Sequence, residues 1–250
     1  MKSNQPVILA IDTATPATSL AITRGTRGEG DVLASLGLSS NVTHSRRLLT
    51  SIDWLMTEVE LGWDDIDAIG VSLGPGSFTG LRIGMATAKG LATAAGVGLI
   101  GVSTLDSLAA KCVTQKLVCS VLDARKKEVY AGFYRLSKSG TMSRICEIAA
   151  FSPQDLASKI SEPVMMIGDG AVVYQTLFTE ILGTDLVMAP SALHEPSAAS
   201  LGMISGEQFL EGQFLDVDGA VPLYVRSSDA ELNLKKKQQA LAVRTKSNKN

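Results

Sequence analysis

VILAID, residues 7–12, is an apolar run closed by an acid, and its reading decides the fold. Five apolar residues without alternation, three of them Val or Ile, suit a strand buried on both faces. Working outward, TSLAITR (18–24) and VLASLGL (32–38) read as two further strands joined by the Gly-rich turn Gly25 to Gly30. From Ser45 the period changes. Leu48, Leu49, Ile52, Leu55, Met56 and Val59 fall on one face of a helix running to about Leu61, with Thr43 and Ser45 as candidate caps. Asp67 to Leu73 is a short strand, GPGSFTG (74–80) a glycine-rich loop, and a second helix runs from about Thr79 to Ala95. A strand (Leu99 to Val102) and a short helix (Leu105 to Cys112) complete the half.

The remainder repeats that order. Strands are expected at 117–122, 128–135 and 143–150, then a helix at 153–160 opened by Ser152 and Pro153. A strand at 164–167, the loop GDGA (168–171), a helix at 172–182, a strand near Leu186 to Met188 and a helix from about Ser197 to Leu210 follow. The landmarks correspond as well: Asp12 and Asp123 each end a first strand, and GPGS and GDGA each join a later strand to its helix. An α/β chain of two duplicated βββαβαβα lobes has the architecture of the actin, sugar-kinase and Hsp70 ATPase class (ASKHA, ribonuclease H-like), with a cleft between the lobes. The alternative is one α/β domain whose halves merely look alike. The expected division is an N-terminal lobe at 1–105, a C-terminal lobe at 106–212, a return segment at 213–231 packing on the N-terminal lobe, and a basic flexible tail at 232–250.

The 250 residues, 45% hydrophobic and 19% charged, suffice for a large core and exclude a disordered or disulfide-stapled chain. The net charge of −2 hides an asymmetry. Six bases and no acid lie after position 234, leaving the first 234 residues at −8. An acidic globule with a basic tail is a poor general nucleic-acid binder, since phosphate affinity needs a dense cationic face. Three cysteines without CxxC spacing fit reduced thiols in a cytoplasmic protein. The longest uncharged stretch, Gly90 to Leu105, falls short of the roughly 20 apolar residues of a bilayer span, so no membrane role is expected.

GPGSFTGLRIG (74–84) could present N–H groups at a helix start to a phosphate. Its spacing, however, is off the dinucleotide fingerprint, and no Lys-Ser/Thr follows as a P-loop requires. The helix behind it carries Gly80, Gly84, Ala88, Ala92 and Gly96, small residues every fourth position. Glycine inside a helix costs about 1 kcal/mol relative to alanine, so close approach of another element should return that energy. The approaching element is either the helix from Ser45 within the same lobe or a partner subunit. Asp12 is followed by Thr13-Ala14-Thr15-Pro16 and Asp123 by Ala124-Arg125-Lys126-Lys127. Neither turn has the glycine that would let a hairpin backbone touch a phosphate, which argues against ATP hydrolysis and for a solvated tip at 125–127. His44 and His194 form no HxxxH or HExxH cluster, and no G-x-S-x-G elbow exists, so a histidine metal site and a serine hydrolase are not expected.

ILAIDTATPATSLAI (8–22), THSRRLL (43–49), GVSLGPGSFTGLRIGMATAKGLA (70–92), VSTLDSLA (102–109) and PLYVR (222–226) together resemble the bacterial TsaB family. Between 110 and 215 the likeness lies in element order more than in motifs. The resemblance implies a non-catalytic subunit in the making of N6-threonylcarbamoyladenosine in tRNA, with no cofactor or metal of its own. It implies heterodimerisation with a TsaD-type subunit that carries the metal, the threonylcarbamoyl-adenylate and the transfer to the adenosine next to the anticodon. A TsaE-type ATPase and the tRNA act through that complex, and the chain alone is expected to pair with itself. Carried onto this chain, the partner surface is the helix after His44-Ser45 and the helix after GPGSFTG. Gly80, Arg82, Ile83, Gly84, Thr87 and Leu91 are its expected contacts, with His44, Ser45 and Arg47 at the edge. Arg46 departs from the acid usual after His-Ser. A vestigial nucleotide site would comprise Asp12, Asp123, Gly168 and Gly170. The competing classes are an autonomous actin-like ATPase or kinase, which would need Asp12 or Asp123 for Mg-ATP turnover, and a peptidase, for which no nucleophile or zinc motif is visible.

Overall fold

The computed structural model describes residues 5–38 and 44–225, with only the backbone of 44–47. Thr43, Arg226 and the tail at 232–250 lie outside the described residues, as do the side chains of His44, Ser45, Arg46 and Arg47. The first half runs β1 (Val7–Asp12), β2 (Thr18–Gly25), β3 (Gly30–Leu38), α1 (His44–Glu58), β4 (Ala68–Gly74), α2 (Phe78–Ala95), β5 (Gly98–Ser103) and α3 (Thr104–Ala109). The second runs β6 (Leu117–Arg125), β7 (Glu128–Leu136), β8 (Met142–Arg144), β9 (Ala149–Phe151), α4 (Pro153–Ser158), β10 (Val164–Ile167), α5 (Asp169–Val173), α6 (Gln175–Leu182), β11 (Leu186–Met188) and α7 (Ala198–Leu210).

The two sheets share one topology. The first has the order β3-β2-β1-β4-β5 and the second β8-β7-β6-β10-β11, with β9 also on β7. In each, the first three strands form an antiparallel meander and the last two join the first in parallel. All six residues of β1 are buried, as an unalternating apolar strand at the middle of a covered sheet should be. The duplicated α/β fold is therefore that of the actin-like class.

Details depart from the expected boundaries. The strand expected at 143–150 is two short strands laid along β7, broken where Cys146 and Glu147 turn outward. The helix expected at 172–182 begins at Asp169 and is interrupted at Tyr174 (φ −107°, ψ 19°). At the β6–β7 tip, Arg125, Lys126 and Lys127 have φ of 62°, 53° and 63°. Two left-handed central residues match the twist of a two-residue hairpin, at a steric cost that a glycine would avoid.

The last helix of each half packs with the other half's sheet. Leu105, Leu108 and Ala109 of α3 join Val118, Leu122 and Ile167 in one cluster. Ala198, Leu201 and Ile204 of α7 instead join Ala10, Ala21 and Val102. The helix that the sequence reading groups with residues 106–212 thus lies across the first sheet. Small residues allow it: a Cβ on Gly202 would stand 2.5 Å from Thr23 Oγ1, and one on Gly206 would collide with the carbonyl of Gly25. Residues 213–225 then follow the first lobe. Leu215 N–H donates to Leu99 O at 2.8 Å, Leu223 N–H to Leu73 O at 2.7 Å, and Lys89 Nζ to Asp218 O at 2.9 Å.

Candidate functional site

The turn after β1 packs against the first turn of α2. Ser77 N–H donates to Ala14 O at 2.6 Å, and Ser77 Oγ caps the helix by accepting from Gly80 N–H at 3.2 Å. Thr13 Oγ1 donates to Gly80 O at 2.7 Å. A Cβ on Gly76 would fall on Ala14 O, one on Gly80 on Thr13 O, and one on Gly84 on Thr13 Oγ1. Gly80, Gly84, Ala88 and Ala92 are all buried. The small-residue stripe therefore serves contact within the lobe, and the assignment of Gly80 and Gly84 to a partner surface is corrected. The element they approach is the end of β1, an option the helix-to-helix reading omitted. Gly96 has a separate role: at φ 67° it ends the helix in the left-handed conformation.

The second lobe repeats the device. Gly168 (φ 110°) would place a Cβ on Val121 O, and Gly170 would place one 2.9 Å from Asp123 N. These glycines press α5 onto the end of β6. His194 supports the same loop from below, with Nδ1 accepting from Gly168 N–H at 3.1 Å and Nε2 donating to Ala189 O at 3.0 Å. Gly168 and Gly170 thus serve the close contact between α5 and β6.

Acidic groups from both lobes meet beneath the cleft. Asp12 is 1% exposed; its Oδ1 accepts from Ala14 N–H at 2.9 Å, while Oδ2 makes no hydrogen bond. Burial pushes its carboxyl up to about 6, against the pull of the Ala14 N–H and Ser72, with Glu195 adding to the rise. Glu195 also accepts from Thr15 Oγ1 at 3.4 Å. Asp169 Oδ1 accepts from Asp123 N–H at 3.0 Å, and its pKa is raised by burial and by the charges of Asp123 and Glu195. Asp123 itself is paired with Arg125, Oδ2 to Nη1 at 3.1 Å. Asp12 and Asp123 thus face one interlobe region, but Asp12 is sealed under Ala14. Among the described residues, no group of three or more His, Cys, Asp or Glu side chains is arranged to hold a metal ion.

Between the lobes lies a cleft of about 460 Å³. Asp123, Asp169 and Tyr130 line it from the second lobe, and Phe78 and Tyr224 form its lip on the first. The Arg82 guanidinium stacks on Phe78 at 4.0 Å, and its Nε donates to Tyr224 OH at 3.1 Å. The Phe78 and Tyr224 ring centroids are 5.3 Å apart. Thr13, Ala14, Asp169, Glu195, Phe78 and Tyr224 are the site residues that sequence reasoning missed. Only Asp169 had a signal, as the acid inside GDGA; the others depend on long-range packing.

The outer face of α2 is different. Arg82, Ala86, Gly90, Thr93 and Ala94 are exposed, and a Cβ on Gly90 would meet nothing within 4 Å. Ile83 and Leu91 are half-buried against the lobe core, and Thr87 is half-buried beside them. On α1, Leu49 is 60% and Trp54 49% exposed. No helix among the described residues is long and apolar enough to cross a membrane.

Residues 39–234 match a family model described as TsaD, tRNA N6-adenosine threonylcarbamoyltransferase. The chain is 30% identical over 228 residues to the tRNA threonylcarbamoyladenosine biosynthesis protein TsaB of Bacillus subtilis, covering 90% of this chain and 96% of that one. With the protein of the same name from Escherichia coli it shares 32% over 229 residues, covering 89% and 96%. Among solved structures, YeaZ from Pseudomonas aeruginosa is 28% identical with a TM-score of 0.72, covering 88% of this chain and 99% of that one.

Proposed function

The chain belongs to the TsaB family, within the wider group that the TsaD model describes, and we propose that it is a non-catalytic subunit that binds and activates a TsaD-type threonylcarbamoyltransferase. Its general role is the biosynthesis of threonylcarbamoyladenosine in tRNA, in a cytoplasmic setting. The TsaD-type partner performs the transfer from the adenylate to the adenosine beside the anticodon. A TsaE-type ATPase and the tRNA are engaged through the complex, and the same surface pairs two copies when the partner is absent.

The division of α2 into two faces carries this reading. The inner face is packed on Thr13 and Ala14, in the turn after β1. The outer face offers Ala86, Gly90 and Ala94 in a row, and α1 carries the exposed Leu49 and Trp54. Small residues let helix backbones approach, and large apolar neighbours supply the burial. The partner contacts therefore shift outward from the expected set, to Arg82, Ala86, Gly90 and Ala94. The contributions proposed for His44, Ser45 and Arg47 lie outside the described side chains.

Titration of a purified TsaD-type subunit with this chain by calorimetry tests the reading. A heterodimer that Gly90→Leu weakens at least about tenfold, with the isolated fold intact, is the expected result. Undiminished affinity of the variant would remove α2 from the interface.

A further inference from the structure

Arg27, in the turn between β2 and β3, spreads its guanidinium over two other elements, α7 and β8. Nε donates to both carboxylate oxygens of Glu207 on α7, at 2.9 and 3.0 Å, and Nη2 donates to Glu207 Oε2 at 2.5 Å. The Arg27 backbone N–H adds a bond to Glu207 Oε1 at 3.3 Å. Nη1 meanwhile donates at 3.1 Å to the carbonyl of Met142, on β8 of the second sheet. The turn and α7 belong to the first sheet, so one side chain ties both sheets together.

Further polar groups line this junction. Asp106 of α3 accepts from Tyr134 OH at 2.8 Å and lies 3.7 Å from Arg144 Nε, and Arg27 is among the cations acting on its carboxylate. The Arg27 and Glu207 side chains are only 21% and 26% exposed. A pair of this kind adds modestly to stability. Its larger contribution is geometric, because a planar fork bound at three points fixes the elements that it touches, and a lysine has no such fork.

We infer that Arg27 is an interlobe latch, a positioning residue that holds the cleft at one width so that the chain presents a single rigid body. The inference stands independently of the partner reading. The latch adds a directional tie to the apolar packing of α3 and α7 between the lobes, across which Asp123, Phe78 and Tyr224 line one cleft.

The test is a distance measurement on the full chain. Cys146 is exposed, whereas Cys112 and Cys119 are buried, so a nitroxide at Cys146 marks the second lobe. A second nitroxide at the exposed Glu58→Cys position marks α1. Pulsed electron–electron double resonance on doubly labelled chain diluted into excess unlabelled chain, so that only distances within one copy are read, should give one narrow distance distribution for the parent. Arg27→Ala should broaden it about twofold or add a second distance, with Arg27→Lys between the two. Glu207→Gln, which keeps an acceptor, provides a milder variant with the same direction should Arg27→Ala fail to fold. A merely structural contact would lower the melting temperature of these variants without changing the distribution. A broad distribution in the parent, or identical distributions in parent and variants, would overturn the inference.

Discussion

The Thr13 hydroxyl donates to the Gly80 carbonyl at 2.7 Å, locking the turn after β1 against the first turn of α2. This contact accounts for the glycines at 80 and 84 without reference to any partner. It also separates two classes of substitution on one helix.

On the inner face, Gly84→Leu drives a side chain into Thr13. Overpacking of this kind costs on the order of 1–3 kcal/mol or more, and the buried Thr13 contact puts Gly84→Leu at the upper end, above the roughly 1 kcal/mol that replacing a helical glycine returns. Thermal or denaturant unfolding of the isolated chain should record a clear loss. A Gly84→Leu variant as stable as the parent would mean that α2 does not sit on Thr13.

On the outer face, Gly90→Ala meets open space and gains helix propensity. It should raise the unfolding free energy of the isolated chain by about 0.5–1 kcal/mol. A loss of stability at this position would show that Gly90 already touches something within the chain.

Asp12 sets a pH dependence. Its carboxyl rises from an ordinary 3.8 to about 6 on folding, so the unfolded chain gives up its proton first as pH increases. The penalty is absent below pH 4, accrues between about 4 and 6, and is complete and constant above 7. Asp12→Asn keeps an acceptor for the Ala14 N–H and removes the buried charge. It should therefore match the parent near pH 4 and exceed it by on the order of 3 kcal/mol at pH 8. Denaturant midpoints for both proteins across that range would check this. Equal stability of the two proteins at pH 8 would mean that the carboxylate is solvated.

The thiols separate by burial. Burial pushes Cys112 up to about 11 and raises Cys119 further, while Cys146 is exposed. A chromogenic disulfide at neutral pH should titrate one thiol in the folded chain and all three only on unfolding. Fast reaction of a second thiol would contradict the burial of α3 or β6.

The fold was legible because its signals are local. VILAID, the change of period at Ser45 and the paired strand–Gly–helix turns each announce themselves within a few residues, and their repetition sets the architecture. The destinations of the small residues were not legible. Ala198, Gly202 and Gly206 recur every fourth position as plainly as Gly80 and Gly84 do. Yet periodicity marks only a face that something approaches closely. Whether that is Thr13, the Gly25 carbonyl or a second protein depends on contacts far apart in sequence. The break at Cys146 was hidden for a related reason, since β8 and β9 exist only where β7 runs beside them.

The most direct test of the central claim is threonylcarbamoyl transfer to tRNA by TsaD-type and TsaE-type proteins, with and without this chain. The account predicts that transfer depends on the chain, survives replacement of Asp12 and Asp123 by Ala, and falls with Gly90→Leu. Transfer that needs those two carboxylates while the variants stay folded and bound to the partner would contradict it, because the cleft would then hold working chemistry of its own.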